Sequence, residues 1–407
     1  MPLQPRARSK SSQHNDALIL DAGVAEALEF GLDRIALRSV VRRCGLTSGA
    51  IYSRYEDADD FVAALWTERL RQPTFDLMSA AMAAMLTDEV GPGLAEVTRQ
   101  LTSPTPEVSL GCEALIVGRR NDVLGEEISD EFSSWAEKWG LHASAQPDQR
   151  VLASVAFATI AGAAIYSFAE PGLTNWESVF SLISSALRTT NPADKRPSNN
   201  LEIELPNVVH HFEVQPGTGE PLRDALIVAT ANVIGRAGYE RTTVSRIGRR
   251  AKLTGGAVYT RYETKDQLII DTLGTLLNGA IAGTQEVTEW GTISGEVPEA
   301  LNRVYHLGVT PSRRAWRQFR LETYLAARTR TEPRDALRTL HASGAPRYKH
   351  LISRDHNVDD VIVDLLARGG QSLPLGLSLL ECFETQLEML DFSAYTQSLY
   401  NALRDIA

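Results

Sequence analysis

The chain has 407 residues, a formal net charge of −10, 43% hydrophobic and 23% charged residues. That is length for two or three domains with cores of their own and the composition of an ordinary globular protein. The acidic excess excludes a protein that coats nucleic acid indiscriminately, although a local basic face stays open. No uncharged apolar run of about 18 residues occurs, so no membrane span is expected. Cys44, Cys112 and Cys382 stand alone, without metal-ligand spacing or an even disulfide count, which fits a reducing cytoplasm. No metal and no cofactor are expected.

In chain order, residues 1–15 are polar and basic (Arg6, Arg8, Lys10) with no apolar segment behind them. They predict a mobile arm rather than a secretory signal. From Asp16 the pattern is helical almost throughout, with Gly and Pro at the joints. Val151 to Phe168, rich in Ala and Gly, predicts a buried packing helix. Trp176, Val179, Ile183, Ala186 and Leu187 fall on one helical face. Residues 191–220 are loop chemistry and predict a linker; inside it Leu201 to Leu205 alternates at period two, an extended segment or a short strand. Phe392, Tyr395, Leu399, Ala402 and Leu403 repeat the spacing of the 176–187 face. Before them, Gly369-Gly370 and Pro374 predict a kink or break in the helix near 359–380.

The strongest pattern is repetition. Gly31-Leu32-Asp33-Arg34 through Tyr52-Ser53-Arg54-Tyr55-Glu56 returns 207 positions later as Gly238-Tyr239-Glu240-Arg241 through Tyr259-Thr260-Arg261-Tyr262-Glu263. That offset is a domain, not a solenoid period. The expected organisation is an arm (1–15), a first helix-turn-helix (16–70), a first helical body (71–190), the linker (191–220), a second helix-turn-helix (221–277) and a second helical body (278–407).

In the second copy an amphipathic helix from Leu226 stops at Gly238, suited to a left-handed helix end. Thr242-Thr243 precedes Val244-Ser245-Arg246-Ile247, where a Thr can cap the next helix. After the turn Leu253-Thr254 comes a short helix, Gly255 to Tyr262. Helix, tight turn and short second helix is the arrangement whose second helix enters a DNA major groove. The series Thr-Thr-Val-x-x-Ile, Leu-Thr-x-Gly-Ala-Val-Tyr-x-x-Tyr, Lys-Asp-x-Leu resembles the DNA-binding domain of TetR-type bacterial repressors. The resemblance implies an all-α fold of two TetR-like domains. It also implies phosphate contacts from Thr243, Tyr259 and Lys265, with Thr242 beside them. A recognition helix would be formed by Thr254, Gly255, Gly256, Ala257, Thr260 and Arg261. Tyr262 reads as a core aromatic.

The copies are unequal. Residues 16–70 hold six Arg/Lys and ten Asp/Glu, net −4, whereas 223–277 hold nine and five, net +4. Affinity for DNA follows phosphate neutralisation, so the difference is large. Ile35-Ala36 replaces Thr242-Thr243, which removes the cap, and Ala58 replaces Lys265. Thr47, Ser48, Gly49, Tyr52 and Arg54 keep the recognition positions of the first copy. It is either a weak reader helped by the basic arm or a decayed reader kept as scaffold; retention of Arg42, Arg43 and Arg54 favours the first.

The family resemblance further implies dimerisation through a four-helix bundle. Here both halves of that bundle are present, 151–168 with 176–188 and about 359–380 with 392–404. The expectation is an intramolecular pseudo-dimer, with further self-association left open. It would be tethered at an effective concentration of order mM and would place two recognition helices about 34–36 Å apart. The expected partners are a double-stranded DNA operator, possibly asymmetric, and an unidentified small-molecule effector; no membrane is expected. Candidate pocket walls are Trp135, Trp139, Phe157 and Tyr166 in one half and Tyr305, Trp316, Phe319 and Tyr324 in the other, with ordinary core packing as the alternative. No phosphate loop, zinc spacing or nucleophile elbow points to an enzyme. The rival reading is a helical interaction scaffold with degenerate DNA-binding domains.

Overall fold

The computed structural model describes residues 10–87, 92–172, 176–195, 216–352 and 360–406. The alternating stretch Leu201 to Leu205 and the arm residues Arg6 and Arg8 lie outside these. Among the described residues the fold is all-α, without a strand. The chain divides into two compact units: 1–76 with 104–130, and 77–103 with 131–407.

The first unit holds α1 (Lys10–Phe30), α2 (Leu37–Cys44), α3 (Ser48–Tyr52), α4 (Ala58–Leu65), the start of α5 (Arg71–Leu86) and α7 (Pro106–Gly118). Two sequence expectations change here. Helix α1 begins at Lys10, inside the stretch expected as a mobile arm. And residues 104–130, assigned from sequence to the first helical body, cluster with the helix-turn-helix. The physical reason is a set of buried polar ties: the Leu32 N–H donates to Glu113 Oε1 at 2.6 Å, and Arg120 pairs with Asp33, both side chains nearly inaccessible.

The second unit holds α6 (Pro92–Thr102), α9 (Pro147–Tyr166) and α10 (Trp176–Thr189), together with everything from α11 on. Helix α11 (Pro221–Ala237), α12 (Val244–Arg250), α13 (Gly255–Tyr259) and α14 (Lys265–Ser294) are followed by α15 (Val297–Val309), α16 (Arg314–Thr329), α17 (Thr331–Ile352), α18 (Asp360–Leu380) and α19 (Ser393–Ile406). The remaining helix, α8 (Asp122–Lys138), crosses the boundary between the units, as α5 does. Helix α9 is long and apolar enough to cross a membrane by composition alone, but 89% of that window is buried. It packs lengthwise on α18, and α10 packs on α19.

Small residues set the α9–α18 distance. A Cβ on Gly162 would lie 2.1 Å from the carbonyl oxygen of Ser372, and one on Gly376 would lie 1.9 Å from that of Ala158. Neither space can hold a side chain, so backbone meets backbone at both ends. Of the expected kink or break in α18, the break does not occur: the helix runs through Gly369-Gly370 and carries Pro374 in its interior. Burial of its apolar face against α9 outweighs the hydrogen bond that the proline omits.

Candidate nucleic-acid interface

The second helix-turn-helix is held by a small apolar core. Leu226 and Ala229 of α11, Ile247 of α12, Val258 of α13, Tyr262 and Leu268 pack together, with Val233, Val244, Ala251 and Leu253 at the edge. Helices α12 and α13 have only seven and five residues, and packing is what can stabilise helices this short. The starts of α12, α13 and α14 are capped. Thr243 Oγ1 accepts from the Arg246 N–H at 3.3 Å, Thr254 Oγ1 from Ala257 N–H at 3.2 Å, and Thr264 Oγ1 from Gln267 N–H at 3.1 Å. The tight turn between α12 and α13 forces Lys252 to φ 58°, and the Leu253 N–H closes it onto Gly248 O at 2.8 Å.

This leaves a definite outer surface. Thr243, Thr254, Gly256, Tyr259, Thr260 and Arg261 are exposed, while Gly255 and Ala257 are half-buried. Tyr259 is 58% exposed, unusual for so large a ring. A Cβ at Gly255 or Gly256 would meet nothing nearer than 3.9 Å. Internal packing therefore does not require either glycine; their smallness matters only to something approaching from outside. Around them Arg241, Arg246, Arg249, Arg250 and Lys252 are exposed.

One sequence assignment changes, that of Thr242, and two other side chains have partners within the fold. Thr242 is buried, its hydroxyl donating to Gly238 O at 2.7 Å, so it locks the turn before α12 and faces no ligand. Lys265 folds back: its Nζ donates to Tyr239 O at 3.1 Å and sits 4.7 Å from the centre of that ring. Burial holds its pKa below the usual lysine value, with Glu240 and Asp266 opposing. Arg261 is engaged by Glu220 at 2.6 Å. Tyr262 is core, as read from sequence; its hydroxyl donates to Asp271 Oδ2 at 2.5 Å, and burial with that bond pushes its pKa to about 12.

The first helix-turn-helix keeps the register. Helices α2, α3 and α4 begin 207 positions before α12, α13 and α14, and Gly45 takes the left-handed position that Lys252 occupies. Thr47, Ser48 and Gly49 are exposed, and Tyr52 is 50% exposed. The chemistry differs. Helix α2 begins at Ala36 without a side-chain cap, as the sequence predicts, and Thr47 makes no cap bond either. Where α14 starts with Thr264-Lys265, α4 starts with Asp57-Ala58-Asp59-Asp60, Asp57 accepting from the N–H groups of Asp59 and Asp60. Arg54 is bound to Asp16 and donates to Ala50 O at 2.5 Å, and Arg43 pairs with Glu26 and Glu29 at 3.1 and 2.6 Å. Both arginines therefore have a reason for being there that involves no phosphate. Sequence reasoning missed these pairs because 38 residues separate Arg54 from Asp16.

The aromatic residues offered as pocket walls are mostly core. Phe132, Trp135 and Phe157 contact one another with ring centres 5.6–5.9 Å apart; Trp139 flanks Trp135 at 6.3 Å. Phe319 and Tyr324 are fully buried, and Trp316 nearly so. Tyr166 stacks on His341 at 4.4 Å. Of the eight, Tyr305 lines a cavity between α10, α14, α15, α18 and α19. Its other walls include Thr284, Thr288 and Thr292, one face of α14, a stripe legible in the sequence but not singled out.

A short recognition helix with an exposed aromatic, open glycines and surrounding cations defines a helix-turn-helix of the DNA-binding class. Comparison with known proteins agrees: residues 226–272 match the family described as bacterial regulatory proteins, tetR family. The chain is also similar to an uncharacterized HTH-type transcriptional regulator of Mycobacterium bovis and to counterparts in two Mycobacterium tuberculosis strains. Each is 22% identical over 134 residues, 33% of this chain and 68% of the relative. The second helix-turn-helix thus matches the tetR family over residues 226–272, which supports a DNA-binding regulator.

Proposed function

We propose that the chain is a single-chain repressor with two unequal DNA-reading units, the second supplying most of the affinity. The observation that carries this is the contrast at matched positions: Thr243 and Thr254 cap α12 and α13 and stand exposed with Tyr259 on a basic surface, whereas α2 and α3 of the first copy have no side-chain cap and α4 opens with three aspartates. Carboxylates there repel the phosphates that the same position would otherwise meet. Gel shift against fragments selected from a random pool tests it. Tyr259→Ala should weaken binding by tenfold or more and Tyr52→Ala by less than threefold; equal losses would overturn the inequality. A Kd above about 10⁻⁶ M for every fragment at physiological salt would overturn DNA reading altogether and favour the scaffold.

The pseudo-dimer reading is supported by the reciprocity of the glycine contacts. Gly162 meets Ser372 and Gly376 meets Ala158, each pair the other's counterpart at an offset of 214 positions. A two-fold interface has this property: if one patch touches the other, the second touches the first in the same way. Relief of binding by an effector is supported by α14, a single helix from the DNA-binding unit to the cavity. Thr284 lies about 28 Å along it from Lys265, so a ligand that favours one position of α14 shifts the population of binding-competent chains.

A further inference from the structure

We infer that the cavity between α10, α14, α15, α18 and α19 binds one uncharged, mostly apolar molecule with a single hydrogen-bond donor, and that residues from both halves of the chain must be present to form it. The volume is about 210 Å³, somewhat above that of an engineered apolar cavity that takes up benzene, so the occupant has roughly ten non-hydrogen atoms.

The walls decide its chemistry. Among the described residues they hold no Asp, Glu, Lys, Arg or His, so nothing there would compensate an ionic group lying against them, whose desolvation is costly. The hydroxyls present are already committed. Thr284, Thr288 and Thr292 donate to carbonyls of their own helix at 2.9–3.0 Å, and Tyr305 donates to Tyr395 Oη at 3.3 Å. The lining therefore offers methyl groups, aliphatic side chains and hydrogen-bond acceptors rather than free donors. One acceptor stands out. Pro374 has no N–H, so the carbonyl of Gly370, four residues earlier in α18, lacks its helical donor, and both residues line the cavity. A ligand hydroxyl or amine can supply the missing hydrogen bond.

One side is equally specific. Val179, Leu182 and Ile183 of α10 form one wall facing helices of the C-terminal half, and the space stays partly open to solvent. A C-terminal half alone would present a more open groove. That this cavity is an effector site rests on the regulator reading above; that it is occupied by this class of molecule does not.

Calorimetry on the full chain tests the occupancy, using 1-naphthol, naphthalene and 1-naphthoate as probes. The neutral pair should bind one per chain, naphthol several-fold more tightly than naphthalene, and naphthoate at least tenfold more weakly than either. Val304→Trp, which fills the space, should reduce naphthol binding more than tenfold with an unchanged far-ultraviolet spectrum; Thr288→Met is the second variant if that chain does not fold. Pro374→Ala restores the helical N–H and should erase the preference for naphthol while leaving naphthalene bound. Naphthoate binding as well as naphthol, no binding of either neutral probe, or binding indifferent to the filling variants would overturn the inference. Gel shift with and without 1-naphthol then separates the two readings: binding without any effect on DNA affinity leaves the cavity inference standing and removes its role as effector site.

Discussion

At the scale of single residues, exposure and partners separate side chains that a motif treats alike. Tyr259 and Tyr262 lie three positions apart in one pattern, yet one ring stands in solvent and the other is bonded to Asp271 in the core. In sequence Lys265 reads as a phosphate ligand and Arg261 as a recognition-helix residue, and both are held by neighbours in the fold. Removing Lys265 should therefore cost stability through lost contact with Tyr239, measurable as a lower Tm, as well as DNA affinity. A second cluster gives a pH prediction. His341 lies between Glu170 and Tyr324, its Nε2 accepting from the Tyr324 hydroxyl at 2.6 Å and its Nδ1 donating to Glu170. Tyr166 stacks on the ring, while Arg320 and Arg368 add positive charge nearby. Burial pulls its pKa below the usual 6.5, with Glu170 opposing. A histidine whose pKa is lower in the folded state is protonated first in the unfolded chain. Its contribution is then complete above about pH 6.5 and is lost as pH falls below that value. His341→Asn should flatten the fall of Tm between pH 7 and pH 5.5 relative to the parent chain.

At the scale of elements, helix ends explain what the copies have kept and lost. Thr243 caps α12, and Thr243→Ala should cost about 1 kcal/mol; Ala36→Thr should return a similar amount to α2, both read by denaturant unfolding. The turn between α12 and α13 is more informative. Gly45 takes the left-handed conformation at no steric cost, whereas Lys252 takes it with a Cβ, at a cost of about 1–2 kcal/mol. Lys252→Gly should raise stability while lowering DNA affinity and the steepness of its salt dependence, because a cation near the backbone is lost. A gain in stability with unchanged DNA binding would show that Lys252 contacts no phosphate. Helix α18 carries the opposite lesson: Gly369-Gly370 and Pro374 suggest a kink or break in sequence, but the helix is unbroken, and its close approach to α9 is made at Ser372 and Gly376.

At the scale of the whole molecule, the α9–α18 crossing is a joint where backbone meets backbone. Gly162→Leu or Gly376→Leu would drive a side chain into a carbonyl at about 2 Å. Either should lower Tm strongly, and the two should not add, since both open one interface. Sedimentation at micromolar concentration should give one chain per particle; a dominant two-chain species would refute the pseudo-dimer. Much of this was legible beforehand. The repeated motif, the all-α pattern, the caps at Thr243 and Thr254 and the missing cap at Ala36 are local or periodic features, and local sequence encodes them directly. The sequence did not reveal that Glu113 and Arg120 bind the first helix-turn-helix, that Asp16 engages Arg54, or that Thr242 points inward. Nor did it reveal that an apolar cavity lies beneath α10 rather than among the tryptophans. Each of these depends on which distant faces meet. Composition and spacing determine which surfaces a helix can bury, but only packing in three dimensions decides what they are buried against.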